Sequence, residues 1–154
     1  MDLVSKNYFT SKTSDSDFGK GRFSRAIRET FEKLESLSGL EDDWDSYGAK
    51  APREAVFIGA AAWIMDIFLD ETPIPDVFPV PNGNIQIEWS QGGLDIEIEV
   101  ISHSRCRVSY EDLENGANSW EEEVGFDISK LSQAIIELTD RSQGQRAPNL
   151  RVVQ

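Results

Sequence analysis

"NIQIEWSQGGLDIEIEVISHSRCRVSY", residues 84–110, decides the fold. Apolar and polar side chains alternate through three consecutive runs, at 85–90, 94–100 and 105–110, and this alternation is typical of half-buried β-strands. Short Gly- and Ser-containing segments separate the runs, as hairpin turns require. The stretch therefore predicts an antiparallel meander with one apolar face and one wet face.

Two helices are predicted upstream of these strands. The first covers 22–38, because its apolar residues recur at spacings of three and four, and Gly39 provides a stop. The second covers 52–70, starts at Pro52 and is apolar nearly all round, so it is expected to be the buried central helix. The Pro-rich segment after it can hold only an edge strand.

The last third of the chain predicts one more strand and one more helix. "SWEEEVGF" at 119–126 favours a further strand, and Asp127 is the expected N-cap of a helix over 128–139. The fold class is therefore α+β, with an antiparallel meander sheet of three to five strands and helices packed on one face. We expect a single domain over 21–140, a flexible N-terminal tail at 1–20 and a polar C-terminal tail at 141–154.

Charge is distributed unevenly along the chain. The net charge is −13, and residues 41–154 hold 22 Asp and Glu against eight Lys and Arg. Such a field disfavours direct nucleic-acid binding, which needs cations against phosphate, and it attracts a basic protein partner. The alternative is that the acidity serves solubility alone.

Features of the sequence also bear on the compartment. A single cysteine excludes an internal disulfide, and the longest apolar run, 55–69, is shorter than the roughly 20 residues of a membrane span. The N-terminus lacks the apolar core of a signal peptide. We expect a cytoplasmic protein with no membrane partner. Its oligomeric state stays open.

Carboxylates on the strands are the first candidate site. Alternation places Glu88, Asp95, Glu97 and Glu99 on the wet face of the sheet. Such oxygen ligands would suit Mg²⁺ or Ca²⁺ in a metal-dependent hydrolase, but no lysine occurs between positions 50 and 130 to act as a cationic partner. The alternatives are cross-strand pairing with the arginines at 105 and 107, or an acidic surface that binds a partner.

Two further groups of residues invite a chemical interpretation. Trp120 and the acidic run Glu121, Glu122 and Glu123 form a second candidate binding surface. Combined with "EDD" at 41–43 and the acidic strand, this run would mimic the spacing of phosphates. The alternative is an ordinary solvated run of charge. His103 and Cys106 lie three apart, but alternation buries the thiol and leaves the imidazole in a turn, so a catalytic dyad is not expected. One His and one Cys cannot complete a zinc site, and no phosphate-binding loop occurs. We predict no cofactor and no catalytic residues.

The stretch "EDDWDSYGAKAP", residues 41–52, lies between the two upstream helices and is called the interhelical joint below. Trp44 and Tyr47 are expected to plug the core, while the carboxylates stay in water. Asp45 or Ser46 is expected to hydrogen-bond the backbone of the turn, and Gly48 to supply a positive φ.

The segments "WDSYGA" (44–49) and "NGNIQIEW" (82–89) resemble those of a group of small, uncharacterised bacterial proteins. These proteins share W-D-x-Y-G-A, a helix, a Pro-rich stretch and a G-x-I-x-(L/I)-E-W strand. The resemblance covers about residues 40–101. It implies a shared structural unit and, because the group has no established activity, it implies no catalytic residues.

The sequence as a whole predicts a non-enzymatic acidic binding protein. We expect an inhibitor or neutraliser of a basic protein, such as a nucleic-acid-binding one, in a bacterial or phage setting of defence, anti-defence or toxin–antitoxin function. One alternative is the metal-dependent hydrolase described above. Another is an accessory subunit tethered to a larger complex by the first helix or the N-terminal tail.

Overall fold

The alternating stretch forms the three central strands of a five-stranded antiparallel sheet. The computed structural model describes residues 23–146, and the expected N-terminal tail lies outside this range. The strands lie in the sheet in the order in which they follow along the chain, so the sheet is a meander. They are β1 (Asp76–Pro79), β2 (Ile85–Gln91), β3 (Leu94–Ser102), β4 (Arg105–Asp112) and β5 (Trp120–Val124). The predicted α+β fold class is confirmed.

Turn chemistry sets the register of the central hairpin. Gly92 and Gly93 have φ angles of 65° and 72°, and they connect Gln91 to its partner Leu94. A two-residue turn with both central φ angles positive matches the twist of the flanking strands, which is why glycine occupies both positions. β1 pairs only with β2 and ends at Pro79, so the Pro-rich segment forms an edge strand as predicted.

Three helices cover one face of the sheet. They are α1 (Arg25–Ser36), α2 (Glu54–Ile67) and α3 (Ser129–Arg146). α1 begins where the Ser24 hydroxyl accepts a hydrogen bond from the backbone N–H of Ile27. α2 is shorter than predicted at both ends, because Arg53 and Phe68 adopt extended backbone conformations.

α2 approaches the sheet closely at one glycine. A Cβ built on Gly59 would lie 2.7 Å from backbone atoms of Ser102 and His103, so no side chain fits there. The Trp63 indole N–H donates to the Ser102 carbonyl at 2.8 Å and fixes the same contact. α2 is therefore the central packing helix that the sequence predicted.

α3 extends beyond its predicted end. The sequence placed its last residue at Thr139 and a polar tail at 141–154, but residues 141–146 continue the helix. The prediction was wrong for these residues because their polar side chains have tertiary partners: Ser142 accepts a hydrogen bond from Gln91 at 2.8 Å, and Arg141 pairs with Asp112. Residues 147–154 lie outside the described range.

One hydrophobic core joins the helices to the sheet. Apolar residues from all three helices and from strands β2–β5 belong to it, among them Phe57, Ile64, Ile87, Ile98, Val108 and Leu131. The apolar face of α1 contributes Ile27 and Leu34 to this core. None of the helices within residues 23–146 is long and apolar enough to cross a membrane.

Candidate functional site

The sheet face opposite the helices, called the open face below, is strongly acidic. Strand register places the predicted Glu88, Asp95, Glu97 and Glu99 together on this face, as expected. It adds three carboxylates from β4 and β5, namely Glu111, Glu121 and Glu123. Sequence reasoning did not assign Glu111 to this face, although continuing the alternation of β4 two residues past Ser109 would have done so.

Like charges lie opposite each other on the open face. Glu88 on β2 pairs in register with Glu97 on β3, and Asp95 on β3 pairs with Glu111 on β4. Carboxylates at directly opposed positions repel and destabilise a sheet. The open face thus departs from the charge pairing that stabilises ordinary sheets.

Among the described residues, charge compensation on the open face is confined to one end and to the edge strand β1, where Asp76, opposite Glu88, pairs with Lys33 of α1 at 3.4 Å. Arg107 pairs with Glu99 at 2.9 Å, which confirms the predicted cross-strand pairing for that one carboxylate. Arg105 pairs with Glu123 of β5 at 2.7 Å instead of with one of the four predicted carboxylates. Within residues 23–146 the remaining carboxylates of the face form no salt bridge: Glu88, Asp95, Glu97, Glu111 and Glu121.

Glu99 has the most elaborate surroundings of these carboxylates. It accepts hydrogen bonds of 2.9 Å from the side-chain amides of Asn82 and Asn84, besides its contact with Arg107. These amide hydrogen bonds, together with the Arg107 charge, lower the pKa of the Glu99 carboxyl. Glu99 therefore stabilises the fold, whereas Glu97, on the same strand and face, has no comparable partner.

The open face is too shallow to enclose a small molecule. Two depressions of about 260 and 170 Å³ meet at Glu97 and Ser109. Both fall below the roughly 300–1,000 Å³ of typical ligand pockets, and charged rather than apolar side chains line them. Among residues 23–146, no three His, Cys, Asp or Glu side chains converge closely enough to hold a metal ion.

The second predicted acidic site does not form one surface. Glu121 and Glu123 point to the open face, whereas Trp120 and Glu122 point toward the helices, because successive residues of β5 alternate. Trp120 stacks on Tyr110 with ring centroids 5.6 Å apart, and Lys130 of α3 lies over its ring and pairs with Glu122. The predicted joint action of Trp120 with all three glutamates was therefore wrong.

A polar cluster at the opposite end of the sheet escaped sequence reasoning. Asp112, which is buried, receives hydrogen bonds from two nitrogens of Arg141, at 2.8 and 3.2 Å. These contacts, with backbone N–H groups of Asn115 and Glu114, hold the pKa of the Asp112 carboxyl far below its usual range. Arg141 also contacts Glu137 and Glu114. Because every charge here has a partner, the cluster ties α3 to β4 and leaves no group free for chemistry.

The interhelical joint corrects one prediction and confirms two. Tyr47 is 93% exposed, and Trp44 is half-buried and does not belong to the hydrophobic core, so the prediction that the two rings plug the core was wrong. The Trp44 indole N–H donates to the Lys50 carbonyl at 3.0 Å. Asp45 accepts from the backbone N–H groups of Tyr47 and Ala49, which lowers the pKa of its carboxyl. Gly48 has a φ of 86°, as expected.

Cys106 has no nucleophilic character. It is fully buried on the apolar face of β4, and desolvation, followed by the charge of Glu123, raises the pKa of its thiol to about 12. His103 is exposed in the β3–β4 turn. The structure therefore does not bring the two side chains together as a dyad.

Comparison with protein-family models, with curated proteins and with solved structures found no match for this chain. The resemblance of residues 40–101 to small bacterial proteins therefore stays a prediction.

Proposed function

We propose that this chain is a non-enzymatic binding protein whose open face occupies a basic surface on a protein partner and thereby inhibits or neutralises it. The observation that carries the proposal is the opposition of Glu88 to Glu97 and of Asp95 to Glu111. A fold selected only for stability would place arginine or lysine opposite these carboxylates. A cationic partner surface would supply the missing charges on binding.

The shape of the surface agrees with a protein partner. The five-stranded sheet presents a broad face that the helices of the described region leave uncovered, and five uncompensated carboxylates lie across strands β2 to β5. Opposite charge on the partner would speed encounter and favour one class of partner over others. A basic, nucleic-acid-binding protein has the complementary surface, and its own ligand would then be excluded from it.

The test is an affinity capture at low salt from a lysate of the native cell. The wild-type chain is compared with an open-face variant, Glu88→Gln/Asp95→Asn/Glu97→Gln. The matched control variant, Glu32→Gln/Asp66→Asn/Asp70→Asn, makes the same charge change at exposed positions on the helical layer.

The proposal expects one basic protein to be retained by the wild type and the control variant, lost from the open-face variant and released as salt rises. Retention of the same proteins by all three baits would contradict a role for the open face. If both variants lose the protein alike, the interaction depends only on net charge, and this result would also contradict a role for the open face.

A further inference from the structure

Tyr47 is the most unusual aromatic side chain of the interhelical joint, because the loop that bears it is rigidly built and yet leaves it in solvent. Its side chain is 93% exposed. Trp44, three residues earlier, is half-buried, and its indole N–H donates to the Lys50 carbonyl within the same joint. At its high exposure the Tyr47 ring contributes little to the packing of the fold.

The backbone around Tyr47 is fixed by short-range hydrogen bonds. The Asp43 N–H donates to the Ala49 carbonyl at 2.7 Å, and the Asp43 carboxylate accepts from the Gly48 N–H at 2.7 Å. The Asp45 carboxylate holds the N–H of Tyr47 itself at 2.8 Å. Hydrogen bonds thus hold the backbone on both sides of position 47.

The same loop contains two strained residues. Asp43 and Ser46 have φ angles of 68° and 65°, in the left-handed region that residues other than glycine rarely occupy. Such conformations persist only where surrounding contacts over-determine them, and they cluster at sites that hold ligands. The strained turn displays Tyr47, whereas the other aromatic residue of the joint, Trp44, is half-buried.

The joint adjoins the charge-compensated end of the open face. The Lys50 N–H donates to the Pro81 carbonyl at 2.8 Å, and Lys50 forms a β-bridge with Asn82. The Asn82 side chain in turn donates to Glu99 on the open face at 2.9 Å. The joint and the open face are therefore neighbouring parts of the surface, and a partner that covers the open face also contacts the joint.

We propose that Tyr47 is an anchor residue for the basic protein partner, whose Arg or Lys side chain lies against the exposed ring. This inference rests on the function proposed above and extends it to the joint. Tyrosine offers a large contact area with few rotatable bonds, and a rigid loop removes most of the ordering cost of binding. Glu41, Asp42 and Asp43 are exposed around it and add attraction for the same cation.

Position-specific photo-crosslinking tests the proposal first. The probe is p-benzoylphenylalanine, placed in separate full-length chains at position 47, at position 97 on the open face and at position 126. Phe126 is the matched control, because it is 98% exposed but lies in the β5–α3 connection, on the far side of the sheet from β1 and β2. The proposal expects positions 47 and 97 to crosslink to the same basic protein, and position 126 to none.

Affinity for that purified partner then decides the role of the ring. Tyr47→Ala should weaken binding by about tenfold or more, as loss of an anchor does. Tyr47→Phe, which keeps the ring, and Phe126→Ala should both stay within about twofold of the wild type. Equal melting temperatures of the variants establish that folding is not the cause.

The outcomes separate the two proposals. Crosslinking at position 97 without position 47, or an affinity of Tyr47→Ala within about twofold of the wild type, overturns the anchor and leaves the open face as the binding surface. Crosslinking at position 47 without position 97 contradicts the open-face function and, with it, a shared partner surface. Absence of crosslinking at both positions overturns both proposals.

Discussion

Glu88 of β2 lies directly opposite Glu97 of β3 on the sheet face that the helices leave uncovered. Two carboxylates in register on neighbouring strands repel each other, so this pair lowers the stability of the free protein. The same pair becomes favourable when a cation lies over it. The same two carboxylates therefore lower the stability of the free chain and favour its binding to a basic partner.

Removing one charge of this pair should stabilise the free protein. Glu97→Gln keeps the size of the side chain and abolishes the repulsion, so the free energy of unfolding should rise by about 0.5 kcal/mol, within the range of cross-strand pairs. Urea unfolding monitored by tryptophan fluorescence measures it.

Glu99→Gln is the control for this change, two residues away on the same strand and face. It loses the charge that pairs with Arg107, so stability should fall. If Glu97→Gln destabilises as much as Glu99→Gln does, the opposed carboxylates are not a cost to the fold.

Acid should remove the contribution of Asp112. Because Arg141 lowers the pKa of Asp112 in the folded state, its stabilisation is present above the ordinary pKa of aspartate and is lost as pH falls toward the lowered value. Asp112→Asn should therefore melt well below the wild type at about pH 7, and the gap should narrow below about pH 4. Thermal melts across pH measure it.

The exposed Asp140, on the same helix as Arg141, provides the comparison. Asp140→Asn should follow the wild type across the whole pH range. A gap for Asp112→Asn that stays constant down to about pH 2 would show that the carboxylate charge is not what ties α3 to β4.

The two aromatic residues of the joint should behave differently. Trp44 is half-buried and its indole N–H is hydrogen-bonded, so Trp44→Ala should lower the free energy of unfolding by about 2 kcal/mol. Tyr47→Ala should leave stability nearly unchanged, because the side chain is exposed. Chemical denaturation of both variants checks this, and equal losses would place Tyr47 in the packing of the joint.

Replacing a glycine by alanine should change the stability of the protein in opposite directions in two helices. Gly59→Ala drives a Cβ against the backbone at Ser102 and should destabilise by about 1–3 kcal/mol. Gly144→Ala, in α3, meets nothing within 4 Å and should stabilise slightly through helix propensity. The melting temperatures of the two variants test this prediction. An unchanged melting temperature for Gly59→Ala would mean that α2 does not approach the sheet as closely as described.

Much of the fold follows from hydrophobic period alone. The alternation of residues 84–110 predicted three strands and the face of each side chain, including Glu88 and Glu97 on one surface. The same rule of period two, applied to residues 120–123, would have separated Glu122 from its neighbours. The prediction was wrong because it placed all residues of the acidic run on one surface.

Other features depend on contacts that no local pattern reveals. Arg141 and Ser142 lie in a polar segment, and their tertiary contacts with Asp112 and Gln91 accompany the continuation of α3 past Thr139. Tyr47 lies in solvent on a turn whose backbone Asp45 holds, whereas its aromatic character predicted burial. The opposition of like charges emerged only once strand register was known.

Carboxyl footprinting of the complex tests the central claim most directly. The chain is labelled with a carbodiimide and glycine ethyl ester, free and bound to the basic partner captured by the wild type, and labelling is read residue by residue by mass spectrometry. The proposed function predicts that Glu88, Asp95, Glu97, Glu111 and Glu121 lose labelling on binding while the exposed Glu32, Asp66 and Asp70 of the helical layer keep it. Protection of the helical carboxylates with undiminished labelling of the open face would contradict it.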